Sequence, residues 1–142
     1  VKRLHEIGEY QKKCYGKNLL EKASLFCEEQ KKGFEIENLR NDDYDSYFTT
    51  SDGQRNCRIH IKFDKEYDIH RVVLKENIKK SQRIEAFRIL TVHDGSEKCI
   101  FEGTVVGYKK IALLDQIQTK ELVIEIIDSR VAPTLSYIGI FE

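Results

Sequence analysis

Val72–Lys110 reads VVLKENIKKSQRIEAFRILTVHDGSEKCIFEGTVVGYKK, and this alternation of short apolar runs with polar knots decides the fold. Val72–Leu74, Ile84–Val92 and Cys99–Phe101 are too short, and too rich in β-branched and aromatic residues, to read as amphipathic helices. Glu76-Asn77-Ile78 and Ser81-Gln82-Arg83 form a polar knot between the first two runs, and Asp94-Gly95 is a turn signal after the second. Gly103 to Lys110 then closes the stretch as a Gly-bracketed apolar segment ending on Tyr108 and two lysines.

The pattern extends outward in both directions. Arg58–Phe63 alternates polar and apolar strictly, as a half-buried strand does, and Ile69–Leu74 follows it. Beyond the central stretch come Lys110–Leu114, Glu121–Ile127 and Leu135–Phe141. Asp64-Lys65, Gly103, Asp115 and Pro133 read as the breaks between strands. Strands at this spacing without helical periodicity between them predict an all-β fold, an antiparallel β-sandwich. Leu122–Ile127, nearly continuously apolar, is expected at its centre.

A chain of 142 residues is one domain's length, and 40% apolar with 34% charged residues fits a packed core. Lys plus Arg and Asp plus Glu number 24 each, so no net field draws the chain to nucleic acid or an anionic membrane. No apolar run approaches a membrane span, and the N-terminus has no signal-peptide core. The four cysteines, at 14, 27, 57 and 99, make no Cys-x-x-Cys pair and have no His at zinc-finger spacing. Two disulfides in three connectivities are open to them; four free, mostly buried thiols are favoured, which points to a reducing or anaerobic setting. Residues 3–15 carry Leu4, Ile7, Gln11, Cys14 and Tyr15 at a spacing that predicts a short amphipathic N-terminal helix capped at Gly16.

Three groups of side chains are candidates for function. Tyr44, Tyr47, Arg55, Arg58, His60 and Tyr108 supply the aromatic faces and polar groups that a sugar site combines, although each aromatic also has a packing explanation. Glu76, Gln82, Arg83 and Arg130 form the most specified polar cluster, read either as a binding loop or as a buried pair stitching loops together. Asn41, Asp42 and Asp45 lie in a turn-forming stretch with enough oxygen ligands for calcium; a plain Asx-rich turn is the alternative. No carboxylate pair in a recognisable setting, phosphate loop or nucleophile triad is apparent.

Several of these segments together resemble the C-terminal sandwich domain of bacterial α-L-fucosidases of glycoside hydrolase family 29. Glu76-Asn77-Ile78 with Gln82-Arg83-Ile84 is similar to that family's E-N-I-x-x-G-Q-R-[VI], with Ser81 in place of Gly. Gly103–Lys110 is similar to its G-T-T-I-G-Y-K-R, with Val105-Val106 for Thr-Ile and Lys110 for Arg. Asp45, Ser46, Tyr47, Phe48, Asp52 and Gly53 match a D-G-D-x-x-T-[YF]-W-x-[TS]-x-D-G segment, with Phe48 for the usual Trp. Leu4, Glu6, Gly8, Glu9, Tyr10, Tyr15 and Gly16 match the end of that family's catalytic barrel, and Arg130 its S-R-A-x-P turn. The resemblance implies a jelly roll of the discoidin (coagulation-factor type C) or galactose-binding kind, shared with carbohydrate-binding module family 32. It implies a linker helix over 1–17 and the sandwich over 18–142. The catalytic barrel would precede Val1, leaving this part without chemistry of its own.

The expected role is a carbohydrate-binding accessory domain for fucose- or galactose-containing glycans, in a bacterial enzyme that is cytoplasmic or else secreted or at the cell surface. The alternatives are a structural domain docking on the barrel in cis and a free-standing discoidin-type adhesion module. No cofactor is required. The resemblance allows one structural calcium, although its final-strand Glu ligand is replaced here by Tyr137.

Overall fold

A computed structural model describes residues 18–40, 46–77, 79–80 and 82–142. The expected N-terminal helix, Tyr44, the calcium candidates Asn41, Asp42 and Asp45, and Ser81 lie outside the described residues. Among the described residues seven strands form the fold: β1 (Ala23–Phe26), β2 (Phe48–Thr49), β3 (Cys57–Glu76), β4 (Ile84–His93), β5 (Ser96–Gly103), β6 (Lys110–Ser129) and β7 (Thr134–Phe141). Short 3-10 turns occupy Leu19–Lys22, Ile36–Arg40 and Ser51–Gly53. Every strand pairing is antiparallel, and the hydrogen-bonded order is β2-β7-β3-β6-β4-β5 with β1 on the free side of β3.

The two 20-residue strands, β3 and β6, carry the architecture. The first part of β3 is flanked by β1 and by the second part of β6, which in turn pairs with β4. The last part of β3 is flanked by β7 and by the first part of β6. One pair of strands therefore belongs to both layers of the sandwich. The ladder breaks register between Lys62 and Tyr67 and again between Ile69 and Arg71, the irregularities that let paired strands turn a corner. This corrects the expected breaks at Asp64-Lys65 and Asp115: both lie inside long strands, because a continuous partner carries the chain through a weak local signal. Asp94-Gly95, by contrast, is a two-residue hairpin loop closed by His93 opposite Ser96. Both residues have positive φ, 50° and 80°, as a type I′ turn requires.

Between the layers lies one core. Ile59 and Ile61 of β3, Leu122, Ile124 and Ile126 of β6, and Phe87 and Ile89 of β4 lie side by side in register, and with Phe63, Ile84 and Leu135, Ile138 and Ile140 of β7 they form one buried cluster. Fully burying side chains of this size is worth about 1.5–3 kcal/mol each, and that term holds the layers together. Phe48, at the family's Trp position, is completely buried and closes the core beside Leu39. The strand over Leu122–Ile127 is central, as its apolar run predicts, with β3 on one side and β4 on the other.

Candidate functional site

Three loops meet at one end of the sandwich, and Glu76 binds two of them together. It is completely buried at the end of β3. Oε1 accepts from the backbone N–H of Arg83 at 2.7 Å and of Ile84 at 2.9 Å, and Oε2 from that of Gly107 at 2.7 Å. The β3–β4 loop and the β5–β6 loop are thus fastened to one carboxylate. Arg83 fastens the third: Nη1 donates to Ala132 O at 3.0 Å, while Nε and Nη2 donate to Lys80 O at 3.2 and 3.0 Å. Its own carbonyl accepts from Ser129 Oγ at 2.9 Å and from the N–H of Arg130 at 2.8 Å. Gln82 lies against Gly107, its Nε2 3.2 Å from where a Cβ would stand. The four residues grouped from sequence therefore share one end of the fold.

Two of these loops, β3–β4 through Lys80 and Arg83 and β6–β7 through Ala132, line a cavity of about 470 Å³ together with Lys31, Tyr47, Thr49, Thr50, Gly53 and Thr134. Its aromatic lining residue, Tyr47, belongs to a stack of four groups. Lys31 Nζ lies 5.5 Å from the centre of the Phe34 ring, Phe34 and Tyr47 are 4.8 Å apart at 35°, and Lys80 Nζ lies 5.7 Å from the centre of Tyr47. Asn38 Nδ2 donates to Tyr47 O at 2.9 Å, which fixes the backbone under that ring. Two threonines spend their hydroxyl protons locally, Thr49 on Pro133 O at 2.8 Å and Thr50 on Gln54 O. Thr134 does not: its hydroxyl is buried and has no hydrogen-bond partner among the described residues. An orphaned buried hydroxyl is costly unless something supplies an acceptor. The cavity thus presents two ammonium groups and the Thr134 hydroxyl, beside an Arg83 guanidinium held by the Lys80 and Ala132 carbonyls.

The other sugar candidates are dispersed. Arg58 sits in a ladder across the outer face of the sheet, where Arg58, Glu125 and Arg88 lie side by side on β3, β6 and β4. Arg58 Nη1 meets Glu125 at 3.0 Å, Arg88 Nε meets the other oxygen of Glu125, and Arg58 also pairs with Glu97. The hydrogen bond to Glu97 leads the effects that raise the Arg58 pKa. This ladder borders a second cavity of about 510 Å³, whose charges are already compensated. His60 is two residues along the same face, its ring 5.8 Å from that of Phe26, which is 55% exposed. Arg55 is exposed before β3, and Tyr108 is exposed in the β5–β6 loop. Of the described sugar candidates Tyr47 lines the loop-end cavity, joined by Arg83 of the polar cluster, while Lys31, Lys80 and Thr134 were not singled out from sequence.

Cys27, Cys57 and Cys99 are free, the first two buried and the third exposed. Cys27 Sγ donates to Glu29 Oε2 at 3.3 Å. The Cys57 thiol is pushed far above the usual thiol range, first by its hydrogen bond with Cys27 and then by burial. No three metal-ligating side chains of His, Cys, Asp or Glu converge among the described residues. Tyr137, at the final-strand calcium position, presents a phenol whose oxygen accepts from Asn18 Nδ2 at 3.3 Å, so that position does not fit a calcium ligand. No helix among the described residues is long and apolar enough to cross a membrane.

Comparison with known proteins adds context to this geometry. Residues 6–89 match the family described as anaphase-promoting complex, subunit 10. Over 148 residues the chain is 25% identical to α-L-fucosidase 1 of Arabidopsis thaliana, covering 99% of this chain and 29% of that protein. A Ruminococcus gnavus family 29 fucosidase solved with fucose superposes at a TM-score of 0.89 with 27% identity, over 99% of this chain and 30% of that one. The family 32 carbohydrate-binding module of Clostridium perfringens NanJ, solved with galactose, superposes at 0.75 with 13% identity, over 87% of this chain and 96% of that module. At that identity the likeness is one of fold. The discoidin-like jelly roll and the resemblance to the fucosidase domain both hold. The chain spans about three tenths of the length of the fucosidases it matches.

Proposed function

The chain belongs to the anaphase-promoting complex subunit 10 family, and on that fold we propose that it is the non-catalytic, carbohydrate-binding accessory domain of an α-L-fucosidase. The observation that carries this reading is coverage. A fucosidase structure accounts for 99% of this chain while this chain accounts for only 30% of the fucosidase. The loop-end cavity supports the reading: a concavity that combines an aromatic side chain with convergent polar groups is the general form of a sugar site. Its chemistry is recognition. Glu76, the carboxylate nearest in sequence to Lys80, is buried on backbone amides and cannot act as acid or nucleophile on a ligand in the cavity.

The test is titration of the chain against immobilised fucosylated and galactosylated glycans, first with calcium and then with chelator. Binding that Tyr47→Ala or Thr134→Val abolishes supports the site, and loss with chelator would assign calcium to the Asn41–Asp45 stretch. A blank panel in both conditions sinks the binding reading. A chromogenic fucoside is expected to remain intact.

One observation favours a second reading, a domain that docks on a catalytic partner in cis. Leu113 is 69% exposed and Ile111 is 37% exposed on the outer side of β6. On the same layer Asn18 is fastened to β7, its Oδ1 accepting from Ile140 N at 2.9 Å and its Nδ2 donating to Ile138 O at 3.1 Å. In a longer protein carrying the barrel, Leu113→Lys is expected to loosen the two domains and leave glycan binding unchanged. Unaltered melting of that protein would remove this second reading.

A further inference from the structure

We propose that Cys27 and Cys57 form a redox couple, two thiols that a peroxide converts into a disulfide joining the end of β1 to the start of β3. Cys27 is the first residue past β1, and Cys57 opens β3. β1 runs antiparallel to β3 with Phe26 opposite His60, so the two cysteines come together at one end of that strand pair. Both are buried, at 1% and 2% exposure, and a hydrogen bond joins them. Cys99 has no part in the pair: it is exposed on β5, and β4 and β6 stand between that strand and β3.

Two features set the pair apart from inert core thiols. Cys27 has a proton acceptor, its Sγ donating to Glu29 Oε2 at 3.3 Å. There is also a way in, because Glu29 and Cys57 both line the cavity of about 510 Å³ beside the Arg58 ladder. A molecule as small as hydrogen peroxide suits sulfurs this buried, since access as well as nucleophilicity decides which thiols react. Cys27 reacts first, because the Cys57 thiol is held firmly protonated by its hydrogen bond and by burial. The Cys27 sulfur attacks one peroxide oxygen, the O–O bond breaks, and Cys27 becomes a sulfenic acid. Its proton passes by way of Glu29 to the departing hydroxide, which leaves as water. The Cys57 sulfur then attacks the sulfenic sulfur, the S–O bond breaks, and the hydroxyl leaves with the Cys57 proton as a second water. Each sulfur has lost one electron and the peroxide has gained two. Burial slows the first step, and it also leaves the sulfenic acid with the Cys57 thiol as its neighbour and little access for a second peroxide.

Cys27 lies past the last pair of the β1–β3 ladder, so drawing the sulfurs together breaks no strand pairing. The segment clamped in this way runs on to the loop-end cavity. Glu29 O accepts from Ser51 N at 2.7 Å, Gln30 bridges to Thr50, and Lys31 lines the cavity. The redox chemistry is independent of what that cavity binds.

The experiment treats the folded, fully reduced chain with stoichiometric hydrogen peroxide, alkylates the remaining thiols in denaturant and maps the peptides by mass. The expected product is a Cys27–Cys57 cross-linked peptide, about 2 Da lighter than its reduced halves and reopened by dithiothreitol. The oxidised chain should melt about 10 °C higher, as expected for closing a loop of about 30 residues. In Cys57→Ser the sulfenic acid has lost its partner, so a 1,3-diketone should trap it at Cys27; circular dichroism checks that this variant folds. Cys27 and Cys57 left as thiols, or carried on to sulfinic acid, overturn the inference. So does a disulfide of either one with Cys14, Cys99 or a second chain. A cross-link that forms as readily in urea, or that fails to raise the melting temperature, overturns it too, because the fold would then not be what brings the sulfurs together.

Discussion

Glu76 and Gly107 bond reciprocally: the backbone N–H of Glu76 donates to Gly107 O at 2.9 Å, and the N–H of Gly107 donates to the Glu76 carboxylate at 2.7 Å. Gly107 has φ of 64°, a left-handed conformation that turns its N–H inward at little cost only because the residue is glycine. Two loops remote in sequence are locked by this exchange, with Arg83 and Ile84 completing the carboxylate's partners. Glu76→Gln replaces one acceptor oxygen with an amide donor facing a backbone donor. The loss is expected to be about 2–3 kcal/mol, the cost of stranding a buried N–H next to a group that had met it with charge. Urea unfolding measures it. A cost below about 1 kcal/mol would mean that these loops hold their positions without the carboxylate.

Gly103 tests packing without backbone strain. A Cβ there would lie 2.5 Å from Phe87 Cε1 and 2.6 Å from Cζ, and Phe87 is itself core, stacked at 6.0 Å on Phe101. Gly103→Ala must displace that ring, for about 1–3 kcal/mol. Gly33→Ala, with φ of 90° but nothing within 4 Å, should cost less, about 1 kcal/mol from backbone conformation alone. Thermal melts of the two variants give the ordering, and equal losses would mean that Phe87 has room to move.

Most of the strands were legible in sequence because burial on one face of a sheet imposes alternation, and Arg58–Phe63 shows it residue by residue. Their extent was not. Asp64-Lys65 looks like a turn locally, yet the ladder to β6 resumes at Tyr67 opposite Thr119, so continuity is set by a partner about fifty residues away, beyond any local pattern. The cavity divides in the same way. Tyr47 stood out as an amphipathic aromatic among turn formers. Lys31 and Lys80 did not, since each lies in a lysine pair that reads as solvated surface. What distinguishes them is the Phe34–Tyr47 contact, which exists only once β2 has brought Tyr47 beside Phe34.

Glu125 stands between two guanidinium groups, its side chain 16% exposed against 32% for Arg58 and 37% for Arg88. The members of this ladder are therefore not equivalent. Glu125→Gln removes the carboxylate between Arg88 and Arg58, of which only Arg58 keeps the pair with Glu97 described above, at about 1–2 kcal/mol. Arg58→Gln leaves Glu125 still paired with Arg88 and should cost under about 1 kcal/mol, as partly exposed pairs do. Unfolding in 0.5 M salt should narrow the difference by screening the repulsion. Equal costs at both ionic strengths would mean that the ladder acts through packing of its aliphatic stems.

The Cys57 thiol, raised by its hydrogen bond to Cys27 and by burial, stays protonated in the folded chain at any ordinary pH. The unfolded chain's thiol ionises from about pH 8.5 upward. Above that point the folded state binds the extra proton, so stability must fall as pH rises, at up to about 1.4 kcal/mol per pH unit for this one group. The contribution is fully present below the unfolded pKa and declines across the alkaline range. Cys57→Ser removes the titration while nearly preserving size, so its stability should lack this slope whatever its value at neutral pH. Urea unfolding of both proteins under reductant should show wild type losing about 1 kcal/mol more than the variant between about pH 8.5 and 9.5. Parallel curves would mean that the Cys57 thiolate is tolerated in the fold and that its contact with Cys27 does not hold the proton.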